Sequence, residues 1–227
     1  MDIQIVHPGA NAMVAVKLSP GECVKAEAGA MVAKSEHVRV EGTIYGGVSK
    51  SVARKLLGRE RFFFQTLTAE GEPGDVLIAP PYPGELCLLS LTDGCEYFVQ
   101  GGAFVAALGE IAIETEMQRL AKGLIAGEGL FVLRCRGAGT IVVSAYAGLH
   151  EIDISETSTY MIDHGHLVAW SSGMHYEVER ATDGWMNMIT SGESYVCRFS
   201  GPGKALVQTR NPHAYGSWLK DFLPLGG

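Results

Sequence analysis

The sequence predicts an all-β chain built from three tandem copies of one strand module. Three observations carry this expectation. Apolar residues alternate in short runs between Gly, Pro and Asp-Gly punctuation, in a chain of 227 residues with 29 glycines. A G-x-[MFL]-V-A segment occurs three times, as Gly29-Ala30-Met31-Val32-Ala33, Gly102-Ala103-Phe104-Val105-Ala106 and Gly165-His166-Leu167-Val168-Ala169. The spacings between these copies, 73 and 63 residues, also bring the flanking strands into register without a gap.

The elements follow in order within each copy. Val16 to Ala26 aligns with Leu89 to Val99 and with Ile152 to Ile162, each stretch reading as strand, turn and strand. The G-x-[MFL]-V-A segment supplies the next turn and strand. In the strand after it, Val38 and Val40 match Ile111 and Ile113, then Met174 and Tyr176, with Glu41, Glu114 and Glu177 each next in line. Period-two alternation puts the apolar residue on one face and the glutamate on the other. Each copy closes on a Gly-rich corner: Gly71-Glu72-Pro73-Gly74, Gly137-Ala138-Gly139 and Gly201-Pro202-Gly203. Gly29, Gly102, Gly165, Gly139 and Gly203 are read as turn and corner residues that serve backbone geometry. The boundaries expected are 1–83, 84–147 and 148–210 for the modules and 211–227 for a tail.

The copies differ most between the third strand and the aromatic strand before the corner, over Tyr45 to Arg61, Gln118 to Gly129 and Ala181 to Ser194. In the first insertion Val48, Val52 and Leu56 recur every four residues opposite Lys50 and Arg54, the pattern of a short amphipathic helix. Past Asn211-Pro212, Trp218, Leu219, Phe222 and Leu223 fall at helical spacing, predicting a closing helix docked by that apolar face.

A module of this length is marginal alone, and all-strand modules in a row leave one unsatisfied edge at each end. Head-to-tail closure between chains satisfies both. The expectation is a homo-oligomeric ring, a trimer of nine modules.

The repeated G-x-[MFL]-V-A pattern, Leu57-Gly58-Arg59-Glu60 before an aromatic strand, Gly127-Glu128-Gly129-Leu130-Phe131 and the close Ser200-Gly201-Pro202-Gly203 to Val207-Gln208-Thr209-Arg210 resemble an uncharacterised family. It is the bacterial and archaeal group related to the yeast altered-inheritance-of-mitochondria protein twenty-four. That family is similar in fold to the tryptophan RNA-binding attenuation protein (TRAP), a short double-stranded β-helix that assembles into rings. The resemblance implies a triplicated TRAP-like module and a ring; it implies no catalytic residues.

Candidate chemistry is sparse. His164 and His166, at i and i+2 on extended backbone, point to one side as metal ligands in β-helix enzymes do, yet the matching positions in the other copies are Ala28/Ala30 and Gly101/Ala103. They are read as turn histidines, with a metal-dependent enzyme as a minor alternative and no cofactor expected. Lys50, Arg54, Lys55, Arg59 and Arg61 form a basic insertion in a chain of net charge −7. Their plain reading is a solvated helix face; repeated around a ring they become candidates for a protein or membrane-surface partner, with an RNA-binding ring as the alternative. The three glutamates are expected to be surface ladder partners. No G-x-S-x-G elbow, P-loop or dinucleotide fingerprint occurs, and the Ser171, Ser172, Asp153 and Asp163 groups near His164 lack an identifiable oxyanion donor. Cys23, Cys87, Cys95, Cys135 and Cys197 form no CxxC pair and are read as reduced thiols in strands. With no membrane-spanning apolar run and no leader pattern, the expected setting is cytoplasmic and the expected role a non-enzymatic scaffold.

Overall fold

Period-two alternation decides the local structure. In β2 (Met13–Leu18) the side chains of Val14, Val16 and Leu18 are buried while Lys17 is exposed, the mark of a strand with one face on a core. The computed structural model describes residues 1–44, 63–92, 94–118, 130–180 and 195–223. Around β2 lie β1 (Asp2–Val6), β3 (Cys23–Glu27), β4 (Met31–Lys34), β5 (Val38–Ile44), β6 (Phe63–Ala69) and β7 (Gly74–Ile78). The middle of the chain forms β8 (Gly84–Leu91), β9 (Glu96–Gln100), β10 (Phe104–Gln118) and β11 (Leu130–Tyr146). The last third forms β12 (Leu149–Ile154), β13 (Thr159–Asp163), β14 (Leu167–Ser171), β15 (His175–Arg180), β16 (Tyr195–Ser200) and β17 (Gly203–Gln208), followed by a helix, α1 (Pro212–Lys220). The chain is all-β, as the alternation predicts.

Antiparallel pairing organises these strands. In the first stretch β7 lies between β2 and β4, and β6 between β3 and β5. In the last, β17 lies between β12 and β14, and β16 between β13 and β15. In the middle, two long strands take the place of four. The C-terminal half of β11 runs between β8 and the start of β10, and its N-terminal half between β9 and the rest of β10. Leu18 stands opposite Gly74, Leu91 opposite Gly139 and Ile154 opposite Gly203. A register shift falls between Met31 and Ala33 in β4, between Phe104 and Ala106 in β10 and between Leu167 and Ala169 in β14. Each bulge lies within a G-x-[MFL]-V-A segment and bends the strand after its turn.

The Gly corners are needed where backbones cross closely. Gly137 has φ +122°, and a methyl there would collide with the Glu110 carbonyl oxygen. A methyl on Gly74 would strike Val38, the buried residue that opens β5, and one on Gly203 would strike Met174, the buried residue just before β15. Gly29 and Gly102 hold left-handed turns at φ +89° and +80°. Gly165 departs from them. It lies in a single 3-10 turn, His164–His166, and its side is closed by Asn211 rather than by a left-handed backbone.

Three apolar clusters fill the interior. Val14, Val24, Leu67 and Val76 lie in the first, Phe104, Leu133, Ile141 and Val168 in the second, and Trp170, Phe199, Leu167 and Ala205 in the third. The terminal helix forms where its spacing predicts, with Asn211 capping the His213 and Ala214 amides and Pro212 in the first turn. Its docking differs from expectation. Trp218 is 55% exposed, Phe222 and Leu223 are exposed too, and no residue of the helix is buried. The rings run outward from Tyr146 through Tyr215 and Trp218 to Phe222, so this face stacks upon itself instead of on the core. The amphipathic helix expected around Val48 lies outside the described residues. Among the described residues no helix is long and apolar enough to cross a membrane.

Replacing Gly137 with Ala adds a left-handed strain of about 1–3 kcal/mol to a clash with backbone. Urea unfolding is expected to show a loss of at least ~2 kcal/mol, whereas Gly29→Ala, facing open space, is expected to lose ~1 kcal/mol.

Candidate functional site: strand seams and free edges

The backbone joins its stretches through two seams. At the first, β3 pairs with β10, placing Ala26 opposite Ala106, Lys25 opposite Ala107 and Val24 opposite Leu108. At the second, β9 pairs with β14, placing Val99 opposite Ala169, Phe98 opposite Trp170 and Tyr97 opposite Ser171. Both seams use the strand that follows the bulge. Its first four residues, Phe104 to Ala107 and Leu167 to Trp170, are all buried.

The two seams are filled with different chemistry. At the first, Lys25 donates from Nζ to the Ile111 carbonyl at 2.9 Å, and Phe64 meets Phe104 edge to face at 5.2 Å. Glu27 is half-buried here, and desolvation pushes its carboxyl up. Tyr82 donates to the Gly102 carbonyl and shares a 3.0 Å hydrogen bond with Ser144. Burial pushes that phenol up as well. At the second seam an aromatic group replaces the charges: Phe98 lies 5.5 Å from Trp170, Trp170 lies 4.9 Å from Tyr176, and Tyr176 stacks on Phe199 at 5.8 Å. Trp170 Nε1, Tyr176 OH and Gln100 Oε1 are buried there without a hydrogen-bond partner among the described residues, and burial pushes the Tyr176 phenol well above its ordinary range.

The histidine pair lies in a tight turn. Asp163 accepts a hydrogen bond from the Gly165 amide at 2.7 Å and winds the segment into a 3-10 turn, so the backbone is not extended as the i, i+2 argument requires. His164 meets Gln100 at 2.7 Å, tying the turn to β9. His166 Nδ1 meets the Gln208 carbonyl at 2.7 Å, against β17. Among the described residues no group of three His, Cys, Asp or Glu side chains is placed to hold a metal. Ser171 Oγ accepts from the Lys204 amide, and Asp153 lies 3.7 Å from Lys204, so these groups do not converge on His164 as a triad either.

The repeated glutamates lie on the surface: Glu41 pairs with Arg39 at 3.1 Å and Glu114 with Arg136 at 2.5 Å, while Glu177 lies 3.4 Å from the His175 ring. Beside them Arg134 bridges Glu96 and Glu116, and those two carboxylates hold its guanidinium above its ordinary range. The thiols of Cys135 and Cys197 are each pushed up to about 12 by burial, which keeps them protonated at neutral pH. Cys95 departs from the strand expectation, lying exposed in the turn before β9. Lys50, Arg54, Lys55, Arg59 and Arg61 lie outside the described residues.

The seams were not legible as sites. Nothing in a single strand marks which edge will receive another strand, although the triple G-x-[MFL]-V-A repeat marks all three strands that follow a bulge. Two of these, in β10 and β14, are covered. Among the described residues the third, β4, pairs on one side only, with β7. Likewise β3 and β9 each enter a seam, while among the described residues β13 pairs only with β16.

The sequence profile of a family described as mitochondrial biogenesis AIM24 matches residues 3–210. An uncharacterised protein of Streptococcus pyogenes serotype M6 is 30% identical over 219 residues, covering 93% of this chain and 87% of its own. The crystal structure of a Streptococcus pyogenes protein is similar throughout, with a TM-score of 0.78 and 29% identity over 98% of this chain and 99% of that one.

Two predictions follow from the titratable groups. The raised Glu27 carboxyl favours its neutral form in the fold, so its contribution is complete below the ordinary carboxylate range and is lost as pH rises through the raised value. Glu27→Gln is therefore expected to melt above the wild type at pH 7 and to converge with it near pH 3.5, read by thermal unfolding across pH. In native protein at pH 8, a thiol reagent is expected to label Cys95 rapidly, and Cys135 and Cys197 only after unfolding, as read by peptide mass spectrometry.

Proposed function

The chain belongs to the family described as mitochondrial biogenesis AIM24, and on that premise we propose that it is a non-enzymatic, ring-forming scaffold. It consists of three TRAP-like modules of the short double-stranded β-helix type, 1–83, 84–147 and 148–210, with 211–227 as a tail. Copies assemble head to tail into a cytoplasmic homotrimer. The ring presents its insertions, including Lys50, Arg54, Lys55, Arg59 and Arg61, to a protein or membrane-surface partner. One observation carries this reading: β4 and β13, the counterparts of strands that are paired across seams elsewhere in the chain, each have an open side among the described residues. An open edge is a template for another strand, and two of them at opposite ends of a series favour a closed heterologous ring.

The side-chain chemistry supports a scaffold more than an enzyme. Cys135 and Cys197 are protonated, His164 and His166 are engaged with Gln100 and Gln208, and two of the repeated carboxylates, Glu41 and Glu114, are paired with arginines. Light scattering at micromolar concentration is expected to give three chain masses; a single chain mass rejects the ring. Purified protein is expected to hold no stoichiometric zinc, iron or manganese and to shift no RNA in a salt-dependent manner. Stoichiometric metal would favour the metal-dependent enzyme, and RNA binding that falls steeply with salt would favour the RNA-binding ring.

A further inference from the structure

Resting on the ring reading, we infer that one chain's β13 adds directly to the next chain's β4, with Ile162 opposite Ala33, Met161 opposite Lys34 and Tyr160 opposite Ser35. The two internal seams supply the template. At the first, Ala26, Lys25 and Val24 face Ala106, Ala107 and Leu108; at the second, Val99, Phe98 and Tyr97 face Ala169, Trp170 and Ser171. The offsets of 73 and 63 residues that relate these two sets carry the register onto β13 and β4 without adjustment.

The shape of β4 matches its counterparts. The bulge between Met31 and Ala33 repeats those at Phe104/Ala106 and Leu167/Ala169. Just beyond it, Ser35 Oγ accepts from the Asp75 amide at 2.9 Å, as Ser171 Oγ accepts from the Lys204 amide at 3.0 Å. The backbone of β4 is therefore already bent and anchored as the receiving strand is at the second seam.

Burial gives the same answer independently. Val32, Val105 and Val168 occupy one position of the repeat. Val105 is 1% exposed and Val168 0%, each beside a seam, whereas Val32 on the open edge is 56% exposed. On β13, Tyr160 is 42% exposed, while its counterpart Val24 is fully buried at the first seam and its counterpart Tyr97 half-buried at the second. Val32 and Tyr160 are thus more open at the two ends than the residues in their positions at the internal seams.

Two other exposed edges are treated differently. On β5, Arg39 pairs with Glu41 and Glu70; on β15, Glu179 pairs with Arg198. Charges of this kind discourage strand addition. β13 presents Tyr160 and Met161, with Ile162 buried beneath them, and β4 presents Met31, Val32 and Ala33, apolar runs with their single charges, Asp163 and Lys34, at the ends. The occupant that fits β4 in shape, register and polarity is the β13 edge of a second copy.

Directly opposed residues of antiparallel strands have Cα atoms about 4.5–5.5 Å apart, within the reach of a disulfide. In the full-length chain carrying both Lys34→Cys and Met161→Cys, mild oxidation is expected to give covalent dimers and trimers on non-reducing gels. The wild type, with its native cysteines, and the Lys34→Cys/Tyr160→Cys variant, whose second thiol faces the other side of the sheet, are expected to stay single-chain. Val32→Lys is expected to cut the mass in light scattering threefold while circular dichroism remains that of the wild type, since Val32 is not part of a core. A wild-type ring in which Lys34→Cys/Met161→Cys forms no intermolecular link and Val32→Lys keeps the full mass overturns this interface and leaves the ring reading standing. A monomeric wild type overturns both.

Discussion

Every strand edge presents a row of amide and carbonyl groups that must be met by another strand, by water or by charge that keeps other strands away. In this chain the first solution dominates, and the connection between its stretches is itself a piece of sheet. β10 reaches back to β3 and β14 reaches back to β9, so one ten-stranded sheet runs through most of the molecule. Past the bulge that follows the Gly turn, the same residues pair within their own stretch along one edge and with the preceding stretch along the other.

Given this common backbone, the two seams accept different side chains. The first carries Lys25 and Glu27 on the face where the second carries Phe98 and Gln100, and Ala107 stands where the second has Trp170. Backbone hydrogen bonds fix the register, so the side chains are free to vary in size and charge as long as the space between the sheets is filled. The large Trp170, Tyr176 and Phe98 rings take up volume that smaller residues leave to Phe64 and Phe104 at the first seam. Trp170 Nε1 and Tyr176 OH remain without partners among the described residues in that apolar setting, a cost the ring packing offsets.

Much of this was readable from residue order. The strands, the triple turn segment, the Gly corners, the terminal helix and the exposed glutamates all follow from local periodicity and turn chemistry. Other features were not. His164 and His166 share one side only if their segment is extended, and Asp163 instead caps it into a 3-10 turn, because a side chain that accepts from an amide two residues on converts strand to turn. Trp218 and Phe222 have the spacing of a docked helix, yet spacing says only that side chains share a face, not that a core lies under it. Cys95 follows its strand neighbours in the alignment but lies on the turn, where a single residue's displacement moves a side chain from sheet to solvent.

Alternation and glycine placement are properties of a few consecutive residues, so the chain alone settled that it is β-rich and that the G-x-[MFL]-V-A segment is written three times. Which strand lies beside which, what each seam contains, and which edges remain open are long-range outcomes. They depend on loop closure and on the fit of side chains many residues apart. Val32, Val105 and Val168 are indistinguishable as letters in a repeat. Only the folded arrangement separates the two that are covered from the one that faces solvent.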